Sequence, residues 1–220
     1  METAIATAAI PRSSIVIMSE PPMNSSALCI SLPFLDLVAS LFFMRDLFVV
    51  SDTHFNHENI LKFVGSDGKR FRPFDSVLEM NECMVDRWNS IVKPQDSVYH
   101  LGDVYLTHSA SANELLKRLN GRKRLILGNH DSGKDGVLLR HFEKILMWRT
   151  RPDFGLIFSH VPLHPSSMFA HRAGKQLVNV HGHIHQNNSP PGPYINVCVE
   201  QTNWSPVPVE VLIQQAGKLL

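Results

Sequence analysis

From Leu47 onward the chain alternates short apolar runs with longer stretches in which apolar residues recur every three or four positions. Runs rich in Val, Ile, Leu and aromatics at 47–51, 97–101, 124–127, 156–159, 178–181, 194–199 and 207–213 predict buried strands. Between them, Met80, Met84, Trp88 and Ile91 mark one face of a helix over 76–92. Ser76 and Glu79 form a capping box at its start, where hydroxyl and carboxylate satisfy free backbone N–H groups, and Pro94 closes it. A second helix is predicted over 112–119, stopped by Asn120-Gly121, and a third over 136–145. Strands alternating with helices predict an α/β layered domain. The later strands lie closer together, which predicts an antiparallel portion or a second sheet.

Residues 1–43 break the pattern, being rich in Ser, Ala and Pro and poor in charge. The apolar run 28–43 is short and interrupted by Asp36 and serines, which argues against a spanning helix. Arg12 is the only basic residue before that run, where a secretory leader would carry a basic region. Met44 stands just before the first strand. Residues 1–43 are therefore read as an N-terminal extension, disordered or not native to the domain, with the domain proper at 44–220. An amphipathic tail and a targeting segment are the remaining readings.

Composition narrows the function classes. The 220 residues are 44% hydrophobic and 19% charged with a net charge of +1, an ordinary balance that gives no electrostatic case for a stable nucleic-acid partner or a membrane surface. Cys29, Cys83 and Cys198 are odd in number and far apart, so neither a disulfide framework nor a thiolate zinc site is expected, and a cytoplasmic, reducing location is. Twelve histidines are many for this length, and several stand beside Asp, Asn or Gly. Neutral imidazole is a frequent metal ligand, so the histidines point to a metal site.

The polar clusters follow directly on candidate strands. They are Asp52-Thr53-His54, Gly102-Asp103, Gly128-Asn129-His130-Asp131, His160, and Gly182-His183-Ile184-His185. In α/β sheets, ligands collect beyond the carboxyl ends of strands, so five such ends can converge on one place. Each cluster alone is weak: D-x-H recurs by chance, Gly-Asp is usually a turn, and a lone histidine is more often a satisfied core residue. Together, in this order and each ending a strand, they are specific. Mixed Asp, His and Asn donors suit a borderline divalent metal better than calcium, which wants more carboxylates.

The series D-x-H, G-D, G-N-H-D, H, G-x-H-x-H resembles the calcineurin-like metallophosphoesterase superfamily, and the stretch from Ser51 to Ile60 is similar to a small, capless subgroup found in bacteria and phages. The resemblance implies a four-layer α/β/β/α sandwich with a dinuclear centre. One metal would be held by Asp52, His54, Asp103 and His185, and the other by Asp103, Asn129, His160 and His183, with Asp103 bridging. His130 would contact the phosphate or leaving group, and Asp131 would orient its ring. Many relatives carry a second Asp three residues after that of G-D, where this chain has Leu106. That position is not a ligand in the pattern, so the departure bears on the subgroup and not on the centre.

The expected chemistry is hydrolysis of a phosphomonoester or phosphodiester by a hydroxide held between two divalent ions ~3.5–4 Å apart, with His130 assisting the leaving group. Manganese is the expected metal, with iron, zinc or nickel also compatible. The expected substrate is a phosphorylated small molecule or nucleotide. Oligomeric state is not legible. The rival readings are a non-catalytic binding or scaffold protein on the same fold, and a metallo-β-lactamase type of hydrolase, whose H-x-H-x-D-H cluster is missing from the chain. Among other residues, His57 is expected to cap a helix near Asn56 rather than touch substrate. Arg70, Arg72, His164 and His171 are expected mostly as solvated loop residues, and His100, His108, His141 and His181 as structural.

Overall fold

The computed structural model describes residues 45–65, 68–107, 109–170 and 174–220. The run 28–43, Cys29, His108 and His171 lie outside them. The strands are β1 (Leu47–Val50), β2 (Ser97–His100), β3 (Arg122–Ile126), β4 (Lys144–Leu146), β5 (Trp148–Arg151), β6 (Leu156–Ser159), β7 (Phe169–Ala170), β8 (Lys175–Gln176), β9 (Val178–His181), β10 (Tyr194–Asn196) and β11 (Val207–Pro208). The helices are α1 (Val77–Ile91), α2 (Ser109–Arg118), α3 (Gly136–His141) and α4 (Val209–Ala216).

Two sheets face each other. The first runs β11-β1-β2-β3-β4, parallel except where β11 meets β1. The second runs β10-β9-β6-β5, with only β5 antiparallel. Strand alternation assigns the faces of the first sheet. Leu47, Val49, Tyr99, Leu101 and Ile126 pack toward Leu156, Phe158, Val178 and Val180 of the second sheet. Phe48, Val50, Val98 and Leu125 pack toward the helices.

Helix α1 buries Met80, Met84, Val85 and Trp88, as its spacing predicts, although Ile91 at its end is exposed. Ser76 Oγ accepts from Glu79 N at 3.1 Å, and Glu79 Oε2 reaches back to Asp75 N at 2.9 Å. Trp88 Nε1 donates to Asn120 O at 3.0 Å, which satisfies the buried indole and fastens α1 to the end of α2.

Two expectations need correction. Residues 207–213 are not one strand: β11 is two residues long and α4 follows, burying Val209, Leu212 and Ala216 at helical spacing. The predicted helix over 136–145 ends at His141, and its tail becomes β4, paired with β3. The outer face of the second sheet carries no helix among the described residues. Ile157 and Tyr194 are covered there by Leu163, Met168, Ala170 and Leu177, from a 3-10 turn (Pro165–Ser167) and the β7–β8 hairpin.

Candidate metal centre

The loops after β1 and β2 stay zipped together beyond the ends of their strands. Asp52 N donates to Gly102 O, His54 N to Asp103 O and Phe55 N to Val104 O, each at 3.0 Å. Under this ladder lies a neutral histidine. Gly102 N donates to His100 Nδ1 at 3.2 Å, so Nε2 carries the proton and donates to Thr53 Oγ1 at 2.9 Å. Thr53 Oγ1 in turn donates a hydrogen bond to Val104 O at 2.7 Å. His100 is structural, as expected, and so is His181, whose ring nitrogens meet Gly182 O and Ser189 Oγ at 2.9 Å.

Asp52, His54 and His185 form one group whose donor atoms converge. The two oxygens of Asp52 are used differently. Oδ2 accepts from Ser51 Oγ at 2.5 Å, His183 N at 2.8 Å and Cys198 Sγ at 3.3 Å. Oδ1 has no hydrogen-bond partner and stands 3.8 Å from His54 Nε2 and 3.9 Å from His185 Nε2. Both nitrogens of His54 are likewise buried and unpartnered. Burial raises the Asp52 carboxyl pKa, but the hydrogen bond and charge of His54 together with the charges of His160 and His185 outweigh this and hold it well below the usual range. Burial pulls His54 down, so the ring is neutral and able to ligate. Orphaned buried donors and acceptors of this kind are rare in native interiors. The convergence of Asp52, His54 and His185 would let them hold one cation.

Asp103, His160 and His183 form a second convergent group. His160 Nδ1 donates to Leu101 O at 2.8 Å, which turns Nε2 toward Asn129 Oδ1 at 2.9 Å and His183 Nδ1 at 3.2 Å. Asp103 Oδ1 accepts from His130 N at 2.9 Å. Its Oδ2 lies 3.5 Å from His54 Nε2 and 3.5 Å from His160 Nε2, one histidine from each group. A single carboxylate oxygen between the groups is what a bridging ligand requires. The structure thus brings together all seven expected ligands.

The backbone is strained at this place. Asp52, His54, Asp103, His183 and His185 have φ of 59°, 46°, 55°, 71° and 50°. Non-glycine residues avoid this left-handed region, and such outliers gather at functional sites.

The remaining predicted residues divide. His130 is exposed and stands edge-on to His54, with ring centroids 5.5 Å apart. Asp131 does not orient the His130 ring. Its carboxylate accepts from the backbone N–H groups of Asp103, Gly128 and Val104 at 2.8, 2.9 and 3.1 Å, so it ties the second and third loops together. His57 precedes a 3-10 turn (Glu58–Lys62) but makes no side-chain cap, so the capping expectation fails. Its ring lies 5.6 Å from that of His54, its Nδ1 is buried without a partner, and burial followed by nearby positive groups pulls its pKa to about 4. Arg70 pairs with Asp75, and His164 caps its own turn. Arg72 is not solvated: it is wholly buried against Glu200. Sequence reasoning missed Glu200, which accepts from His185 Nδ1 at 2.9 Å, because no local motif marks it.

Residues 46–215 match the model of the calcineurin-like phosphoesterase family. The chain belongs to this family. Among its relatives is an uncharacterized protein of Methanocaldococcus jannaschii, 34% identical over 188 residues that cover 80% of this chain and 96% of that one. The gene 66 protein of Mycobacterium phage L5 is 31% identical over 91 residues, 40% of this chain and 41% of that protein. A solved structure from Aquifex aeolicus, a protein of unknown function, shares the fold with a TM-score of 0.62 at 24% identity, covering 78% of this chain and all of that one. The α/β sandwich is that of the metallophosphoesterases, and the chain is a metal-dependent phosphoesterase in the general sense of the family. The family is metal-dependent, and the convergent Asp and His groups could hold metal ions. No helix of the described residues is long and apolar enough to cross a membrane.

Proposed function

We propose that this chain hydrolyses a phosphomonoester or phosphodiester of a small molecule or nucleotide at a dinuclear metal centre. The observation that carries the reading is Asp103 Oδ2, equidistant at 3.5 Å from His54 Nε2 and His160 Nε2. Asp52, His54, His185 and Asp103 would hold one cation, and Asp103, Asn129, His160 and His183 the other. Two divalent ions there supply Lewis-acid activation of the phosphate and of the attacking water.

The protein's own residues do the rest. Asp52 Oδ2 is saturated by Ser51, His183 N and Cys198, so only Oδ1 is free to ligate. The Leu101 carbonyl fixes the proton of His160 on Nδ1 and leaves Nε2 as the donor atom. His130, exposed beside His54, donates a proton or hydrogen bond to the leaving oxygen as its bond to phosphorus breaks and the bond from water forms. Manganese is the proposed ion, with iron, zinc and nickel compatible with the same donors. A reducing, cytoplasmic location belongs to the same proposal and is supported by the free thiols of Cys83 and Cys198.

The test is release of p-nitrophenol from bis-p-nitrophenyl phosphate and from p-nitrophenyl phosphate with Mn²⁺, beside Asp103→Ala. Metal-dependent release that Asp103→Ala abolishes supports the reading, and the ratio of the two substrates separates diester from monoester preference. A folded chain that binds no divalent ion and releases nothing would sink it in favour of a scaffold.

A further inference from the structure

Arg72 lies in the loop before α1, yet none of its side chain reaches solvent. Its donors are fully committed. Nη1 donates to Thr53 O at 2.7 Å and to Met80 Sδ at 3.4 Å, and Nη2 to Asp52 O at 2.6 Å. Nε and Nη2 also reach Glu200 Oε1, at 2.8 and 2.7 Å. The same Glu200 oxygen accepts from His185 Nδ1. The guanidinium further packs against the Trp204 ring, 5.6 Å from its centroid.

These contacts converge on one cation position and not on the other. Arg72 grips the carbonyls of the Asp52-Thr53-His54 loop where Asp52 is held at a φ of 59°. Glu200 fixes the His185 proton on Nδ1, so that Nε2 faces Asp52 Oδ1. No charged group stands behind the histidines of the second position: His160 leans on a neutral carbonyl, His183 is exposed, and the Asp131 carboxylate holds backbone N–H groups of the neighbouring loops and neither ring. A carboxylate behind a ligating histidine fixes its orientation and raises its basicity, and losing it typically weakens metal binding ~10–100-fold.

We propose that Arg72 and Glu200 are positioning residues that set the affinity of the Asp52–His54–His185 cation position far more than that of the Asp103–His160–His183 position. The proposal rests on the dinuclear reading above. Without its arginine, Glu200 would be a buried unpaired anion. Without Glu200, Arg72 would be a buried unpaired cation and His185 would lose its orientation.

The experiment is Mn²⁺ titration of the full chain and of Glu200→Gln, with anomalous diffraction at the manganese edge to locate the ions and electron paramagnetic resonance to read their coupling. The wild type is expected to hold two coupled ions. Glu200→Gln keeps the side-chain shape and removes the charge. Affinity at the first position is expected to fall ~10–100-fold. At intermediate Mn²⁺ the variant should then show a single-ion resonance signal and an anomalous peak only beside His160. The double variant Arg72→Gln/Glu200→Gln buries a neutral pair, should show the same selective loss, and stands in if the single variant does not fold. Equal weakening at both positions, or none at either, would overturn the proposal. A wild-type chain that binds no Mn²⁺ would overturn the dinuclear reading itself, and the same titration tells the two failures apart.

Discussion

Gly182 and Asp52 occupy each other's space: a Cβ on the glycine would lie 2.2 Å from Asp52 Oδ2 and 2.0 Å from Ser51 Oγ. The glycine of G-x-H-x-H is there so that the first and last loops of the centre can touch. Gly182→Ala is accordingly expected to push Asp52 off its position. A displacement of about 1 Å can cost ~10²-fold in rate. Metal titration with circular dichroism would check this. Normal uptake and activity in a folded variant would show that the loops can part without harm.

His130→Ala should leave metal uptake intact, because His130 is in neither convergent ligand group and its bond to Asp103 comes from its backbone N–H, which alanine keeps. The expected loss is in kcat, by ~10²–10⁴-fold. The loss should be smaller for substrates whose leaving group needs no proton. A comparison of p-nitrophenyl and alkyl phosphate esters reads this directly, and an equal loss with both would remove the acid role from His130.

Adding metal should stabilise the fold. Unpartnered Asp52 Oδ1 and His54 nitrogens carry a penalty that a cation relieves. A ligand at 100 times its Kd adds about 2.7 kcal/mol. For a domain this size each kcal/mol moves Tm by about 2–4 °C. Thermal melts in EDTA and in excess Mn²⁺ measure the shift, and an unchanged Tm would contradict the site.

Acid should weaken the apo-protein from within. Burial draws the His100 pKa from 6.5 to about 3. The unfolded chain therefore takes up this proton near pH 6.5, whereas the folded chain refuses it until about pH 3. Stability from this group is complete above pH 6.5 and falls as pH drops toward 3, by at most about 1.4 kcal/mol per pH unit. Urea unfolding in EDTA from pH 4 to 7 should show that slope, and His100→Gln should make it shallower.

Much of the site was legible because its parts are local. Asp52 and His54, or His183 and His185, stand two apart and each pair ends a strand, so the sequence carries their grouping. Helix α1 was legible because Ser76 and Glu79 announce its start and Met80, Met84 and Trp88 repeat at its period. The failures have physical reasons. The β-branched run Val207 to Ile213 looks extended, yet Val209, Leu212 and Ala216 find a buried face only as a helix. Strand β5, Trp148–Arg151, alternates with arginines at the edge of its sheet and lacks an apolar run. Arg72 and Glu200 meet across 128 residues, and nothing near either announces the other.

That separation has a consequence for the order of events on the ribosome. Arg72 and both ligands of the first loop emerge long before Glu200 is made, and the residues between Arg72 and Glu200 carry every other piece of the centre. A nascent chain therefore offers scattered weak donors and no finished clamp. The guanidinium can meet its carboxylate only once Glu200 has been made, so the clamp on the first position is completed after every ligand it supports.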